Sequence, residues 1–341
     1  MDIITRRYQY GMIAVAVAAL AFAVATWGGL FAPGASAATT HNKAGHTKSS
    51  APVTAVTVSY SPDLGDALPV YAQDLGDFAS RGIKAKLTAS VSSAQEVPEL
   101  LNGQLAVGGI SVADFLSALS QGIKLRVIQV GYKAYSKTDQ NANAAGLVVS
   151  PTSGIKTLAG LRGKTIAQNE IGNNLDVDTR QLLSTAGVTD FSTTTIPVPT
   201  MYASIKDGTV AAGALIEPFL TMALHEGAID LGDPLSVLPK SPANVYVVSA
   251  KFAASHPKAV NELTAALDAA GSYVNSHAAY AKHVVAKLTG TPVPSGTHVG
   301  LFVSNVTESE IASVGKLLLK YKSITMFTHM PSLANVFAGA R

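Results

Sequence analysis

From Val53 onward the chain repeats one phrase: an apolar run of strand length, a short polar turn, apolar residues at helical spacing, a glycine, and a new apolar run. Gly82, Gly103, Gly122, Gly187, Gly208 and Gly227 occupy the glycine position. A residue that reaches positive φ at little cost suits the position just after a helix, so these six are read as helix stops. Strands are expected to begin at Ile83, Leu105, Ile123, Val188, Val210 and Ile229. Strand, helix and strand in series define βαβ units and a largely parallel sheet. The first helix is placed around Tyr71–Arg81, where Leu75, Phe78 and Ala79 share one face and Asp74 and Asp77 lie off it.

Pro151 and Ser153-Gly154 interrupt this pattern, and a second series starts around Lys164-Thr165-Ile166-Ala167. Two similar α/β series suggest two lobes. After Pro239 and Pro242 a strand, Asn244–Ala250, leads to a long helix opened by Ser255 and Pro257, with Val260, Leu263, Leu267, Ala270 and Val274 on one stripe. Further helices are expected near Ala278–Leu288 and Glu308–Leu319, and their stripes are read as core.

The first segment follows another rule. Arg6 and Arg7 precede Gly11–Phe31, which is 21 residues without a charge, and Ala35-Ser36-Ala37 then offers small residues for cleavage. This order reads as an export signal covering 1–37, with an uncleaved anchor as the alternative because the apolar run is long. Either way the remainder is expected outside the cytoplasm, periplasmic or extracellular, since positive charge stays inside. Thr5-Arg6-Arg7 only partly resembles a twin-arginine signal, because Gln9 stands where an apolar residue is wanted. Residues 38–52 lack apolar periodicity and are read as a flexible leader.

Charge and composition then narrow the chemistry. The 25 Lys and Arg against 22 Asp and Glu give a net charge of +3, which offers no basic stripe for nucleic acid. Cysteine is absent, which removes disulfides, thiolate metal sites and thiol nucleophiles. The eight His are scattered and form no HExxH pattern, so no metal site is expected. Neither a GxSxG nor a GxGxxG element follows a strand. Gly163-Lys164-Thr165 ends like a phosphate loop but lacks the preceding Gly and enters a strand. No catalytic residue and no cofactor is expected.

In open α/β sheets ligands bind beyond the carboxyl ends of the strands. Those ends carry Tyr60 and Ser61, Ser92 and Ser93, Ser111, Tyr132, Asn169, Thr200 and Met201, and Glu217. Hydroxyls and amides there either meet a ligand or cap the helices that follow. Glu217 stands between the apolar run Ala211–Ile216 and Pro218, where it either stabilises a helix N-terminus or accepts from a ligand amine. No Arg occupies a strand end, so a bidentate clamp for an oxyanion is missing. That points to a neutral, amine-bearing or weakly held oxyanion ligand, and Glu217, which would repel an oxyanion, tilts the reading toward a heteroaromatic or amine-bearing solute over nitrate or a simple sulfonate.

The order of motifs resembles the substrate-binding proteins of ABC importers of the nitrate/sulfonate/taurine class, related to thiamine-pyrimidine precursor proteins. The resemblance rests on Tyr71-Ala72, Gly76-Asp77-Phe78 and Gly82-Ile83, then Leu100-Leu101-Asn102-Gly103-Gln104. It continues with Ser153-Gly154-Ile155-Lys156-Thr157-Leu158, Leu161-Arg162-Gly163-Lys164, and Asp207-Gly208-Thr209-Val210-Ala211-Ala212 running into Glu217-Pro218. Where that family usually carries Asp, this chain has Ala106, Gly160 and Ala211. The resemblance implies a two-lobed α/β fold of the periplasmic-binding-protein type II, each lobe a mainly parallel sheet flanked by helices with the ligand cleft between them. The lobes would be 53–147 with 246–341, and 148–245. It further implies a monomer that binds a small-molecule solute, whether a sulfonate, nitrate, taurine or aminopyrimidine, and delivers it to a permease. Two rivals remain: a membrane-anchored sensor on the same fold, and a pyrimidine-precursor enzyme, against which the absence of Cys argues.

Overall fold

All six glycines read as helix stops have positive φ, between 71° and 92°. The strands expected from Ile83 and Ile229 start there, while those expected from Leu105, Ile123, Val188 and Val210 start two to four residues later, at Gly108, Leu125, Ser192 and Ala212, because the chain needs that length to turn from the helix stop onto the sheet. The computed structural model describes residues 54–90, 92–133, 144–238, 241–322, 324 and 327–338. The expected export segment, 1–37, and the leader, 38–52, lie outside the described residues.

Along the chain, β1 (Thr54–Tyr60) is followed by α1 (Leu68–Asp74), α2 (Asp77–Ser80), β2 (Ile83–Ala89), α3 (Ser93–Asn102), β3 (Gly108–Ser111), α4 (Val112–Ser120), β4 (Leu125–Val130) and the short β5 (Tyr132–Lys133). The middle supplies β6 (Ala145–Val149), β7 (Thr165–Gln168), α5 (Asn174–Thr185), β8 (Ser192–Thr195), α6 (Val198–Lys206), β9 (Ala212–Ile216), α7 (Phe219–His225) and β10 (Ile229–Asp230). The last part holds β11 (Asn244–Ser249), α8 (Ala250–Ser255), α9 (Pro257–Ser276), α10 (Ala278–Thr289), β12 (Leu301–Phe302) and α11 (Glu308–Tyr321). The helix expected over Tyr71–Arg81 is two helices, because Gly76 adopts φ 79° between them. None of the helices among the described residues is long and apolar enough to cross a membrane.

One group of strands is built from β1 paired parallel with β2, and β11 lying antiparallel between β3 and β4. A parallel bridge from Val58 to Val107 ties β1 to the approach of β3. The other sheet has the order β10-β6-β9-β7-β8, in which β7 is parallel to β8 and β9 while β6 runs against β9 and β10. The architecture is α/β, and its sheets are mixed. A helical crossover holds its strands parallel, but β6 leads to β7 through a 3-10 turn at Leu158–Leu161, so nothing imposes a parallel partner on it. The expected lobe boundaries, 147/148 and 245/246, fall inside β6 and β11. Each of these strands pairs within one sheet only.

The core sits where the stripes placed it. Val260, Leu263, Leu267, Ala270 and Val274 of α9 are buried against Val58, Leu68, Tyr71 and Phe78. A second cluster joins α4, β3, β4 and β11 to Ile311, Val314 and Leu318 of α11. These packed helices leave the carboxyl ends of β1, β3, β7 and β9 free to carry polar side chains.

Candidate functional site

The loop after β1 makes a tight acidic turn. Asp63 accepts the N–H groups of Gly65 at 2.9 Å and Asp66 at 2.8 Å. The Tyr132 ring lies against the Cα of Gly65, where any Cβ would collide with it. Asn244, at the head of β11, donates through Nδ2 to Asp66 Oδ1 and accepts the Tyr132 N–H at 3.2 Å through Oδ1. The Asn244 amide in turn fills the space a side chain at Gly131 would need.

Ser92 opens α3 but does not cap it. Its hydroxyl donates instead to Glu170 Oε1 at 3.2 Å, and the N–H groups of Ser93 and Ala94 face the same carboxylate closely enough to favour its charge. Glu170 follows β7, so a side chain from the five-stranded sheet occupies the positive end of a helix on the other sheet, where unsatisfied N–H groups favour an anion. Glu96, one turn into α3, is buried and accepts from the Ser59 hydroxyl at 2.6 Å.

Two more helix N-termini converge here. Ser111 caps α4 by accepting the Asp114 N–H at 3.0 Å, and Asn173 caps α5 by accepting the Asp176 N–H at 3.0 Å. Asn174 stitches distant segments together: Oδ1 accepts the Ala113 N–H at 2.8 Å and Nδ2 donates to the Pro242 carbonyl at 3.0 Å. Asn174→Ala strands both backbone groups in a buried place and is expected to lower stability by about 2 kcal/mol, since each unmade buried bond costs roughly 1–3. Urea unfolding checks this, with Asn174→Asp, which keeps the acceptor, expected to lose less.

Together these elements enclose a cavity of about 90 Å³. Its carboxylates are Asp66, Glu96 and Glu170, and among the described residues none of the lining side chains is cationic. Burial pushes the Glu96 carboxyl up to about 7, against the pull of hydrogen bonds from Ser59, Ser90 and Gly109. Burial, then the neighbouring Asp114 charge, likewise raises Glu170 to about 7. Asp66 is raised well above the usual carboxylate range by burial and by the charges of Asp63 and Glu96. No group of three or more His, Asp or Glu among the described residues is arranged to hold a metal ion.

Of the residues singled out in the sequence, Ser61, Ser92, Ser93, Ser111, Tyr132 and Asn169 line this one cavity. Four others do not. Tyr60 ends β1 and is half-buried outside the lining. Thr200 is exposed in the first turn of α6, where its hydroxyl donates to the Pro197 carbonyl at 3.1 Å. Met201 points the other way on the same helix and is fully buried over Gly213 in the core of the five-stranded sheet. Glu217 is buried beside the cavity wall, and its carboxylate accepts from Thr221 N at 3.0 Å, Thr221 Oγ1 at 2.7 Å and His298 N at 3.3 Å. It braces α7 and the His298 segment, while its neighbour Ile216 reaches the lining.

Sequence reasoning missed Asp66, Glu96, Glu170, Asn173, Asn174 and Asn244. A usable signal existed for two of them. Asn173 precedes a helical pattern with an acidic residue three positions on, which is an N-cap signature, and Glu170 lies one residue beyond the strand end that carried Asn169. Glu96 offered only a helix first turn.

The fold is that of the periplasmic binding proteins. The SsuA aliphatic sulphonate binding protein of Escherichia coli superposes with a TM-score of 0.66 at 20% identity, covering 83% of this chain and 96% of that one. The alkanesulfonate-binding protein SsuA of Xanthomonas axonopodis, bound to MOPS, gives 0.68 at 18% identity over 84% and 99%. The nitrate-binding protein NrtA of Synechocystis gives 0.68 at 15% identity over 80% and 82%. By sequence, residues 49–289 match the NMT1-like family model, and the chain belongs to that family. No curated protein matches the sequence.

Proposed function

We propose that the protein is an exported solute-binding subunit that captures a small solute in this cavity and hands it to an ABC importer. The observation that carries the reading is the cavity itself. Six residues chosen from strand ends, scattered from Ser61 to Asn169, line one polar space. The space is walled by the β1 loop, α3 and the start of α4 on one side and by the β7–α5 segment and Ile216 on the other. The family match and the binding functions named for the structural neighbours support the same reading.

In this reading the chain works as two lobes, with the divisions moved off 147 and 245 so that β6 stays whole in the middle lobe and β11 whole in the other, that close on the solute, with Glu170 reaching across to α3 as part of the closed contact. Export would depend on the basic and apolar segment within Met1–Ala37, and the partner would be an importer permease met by a monomer. In this reading the solute is bound and released unaltered.

Thermal unfolding of the purified protein against nitrate, sulfonates, taurine, amines and aminopyrimidines tests the reading. A solute at 100 times its Kd is expected to add about 2.7 kcal/mol of stability. Recovery of a chemically altered solute after incubation would instead favour an enzyme.

A further inference from the structure

Most donors of the cavity are committed, while each of its carboxylates accepts from the protein and still has lone pairs to offer. The Ser61 hydroxyl donates to the Ser90 carbonyl at 2.9 Å, Ser59 donates to Glu96, and Ser111 donates to Asp114 Oδ2 at 2.5 Å. The amide groups of Asn174 and Asn244 donate to Pro242 and Asp66. Helix N-termini, the usual source of free N–H groups for an anion, are also committed. Those of α3 face the Glu170 carboxylate, those of α4 are taken by Asn174 and Ser111, and that of α5 by Asn173. An oxyanion entering this space finds few free donors and three carboxylates; a cation finds three carboxylates contributed by three separate segments.

We propose that the cavity is selective for a small organic cation, an ammonium or amidinium held among Asp66, Glu96 and Glu170, and that nitrate and sulfonates are not its solutes. The inference rests on the reading of this cavity as the solute site. A positive group only donates, so it can take the lone pairs of these carboxylates that Ser59, Ser92 and Asn244 leave open and offset the like charges held together in a poorly hydrated space. Asn169 and the Tyr132 hydroxyl, which have no internal acceptor among the described residues, remain to orient the neutral part of the solute.

Calorimetry and thermal shift on the full protein at pH 8 decide it, with ethylammonium, guanidinium and benzamidinium as cation probes and nitrate, ethanesulfonate and sulfate as anion probes. At least one cation is expected to bind, with affinity falling tenfold or more in Glu96→Gln and in Glu170→Gln, and the anions are expected to give no signal. Circular dichroism establishes that each variant is folded, and the exposed-side Glu170→Gln serves if Glu96→Gln is not. Binding of anions alone, or of both classes equally, overturns the charge selectivity and leaves the solute-binding reading standing. Cation binding that neither variant weakens places the solute elsewhere and also overturns it. If no probe of either class, nor any neutral aminopyrimidine, binds, the solute-binding reading fails and this inference with it.

Discussion

Raising the pH from 5 to 8 is expected to remove about 2–3 kcal/mol of stability from the ligand-free protein through Glu96 alone. The folded-state carboxyl is raised from 4.5 to about 7, so the folded protein holds that proton more tightly than the unfolded chain does. The stabilisation is complete below about 4.5 and is lost as pH rises through about 7, at roughly 1.4 kcal/mol per unit of displacement. The groups that face Glu96 are the Ser59 and Ser90 hydroxyls, the Gly109 N–H, Glu99 on its own helix and Asp66 across the cavity. Glu170, raised to about 7, and Asp63, raised to about 6, act in the same direction. Urea unfolding of the wild type and of Glu96→Gln across this range isolates the contribution as the difference between the two curves. Parallel curves would mean that water reaches Glu96 in the folded state. A bound cation favours the ionised carboxylates, so its affinity is expected to rise over the same interval in which the empty protein weakens.

Arg180→Ala is expected to cost about 3 kcal/mol. Asp176 is fully buried at the start of α5, and Arg180 Nε donates to its two oxygens at 3.0 and 3.1 Å while Nη2 donates to Thr193 at 3.0 Å. Removing the guanidinium leaves a carboxylate in the interior with the Gly172 N–H, at 2.9 Å, as its remaining donor among the described residues. Breaking a buried pair from one side costs roughly 3–5 kcal/mol, and the partial exposure of Arg180 puts this pair at the lower end. The loss matters for the site because Gly172 ends the segment that carries Asn169 and Glu170 to the cavity. Chemical denaturation measures the stability, and a loss below about 1 kcal/mol would show that Asp176 finds solvent once the arginine is gone. Solute affinity of the folded variant is expected to fall as well, since Glu170 then loses its fixed approach to α3.

The outcome for individual residues separates what local pattern carries from what it cannot. Ser111 was legible as a strand-end hydroxyl with two roles, and the structure gives it both, capping α4 while lining the cavity. Met201 and Thr200 were adjacent in sequence and looked equivalent, yet helical geometry sends one into the core and the other to solvent. A three-residue window contains no information about which face of α6 meets the sheet. Glu217 stands out in the sequence because it lies between a strand and a proline. Its oxygens are taken by Thr221, four residues on, and by His298, which no short-range pattern connects to it.

Local pattern suffices for the helix stops, most of the elements, the α9 stripe and the α/β class, because a positive-φ glycine or a 3.6-residue apolar period acts within a few residues of where it is written. Only the packed chain brings Asp66, Glu96, Glu170 and Asn244 around one cavity and sets against the N-terminus of α3 a carboxylate 77 residues from its first residue, Ser93. Local pattern marks Glu170 only as a residue past a strand end. Its role comes from desolvation and from the positive end of a distant helix, and both exist only after β7 and α3 have been brought together.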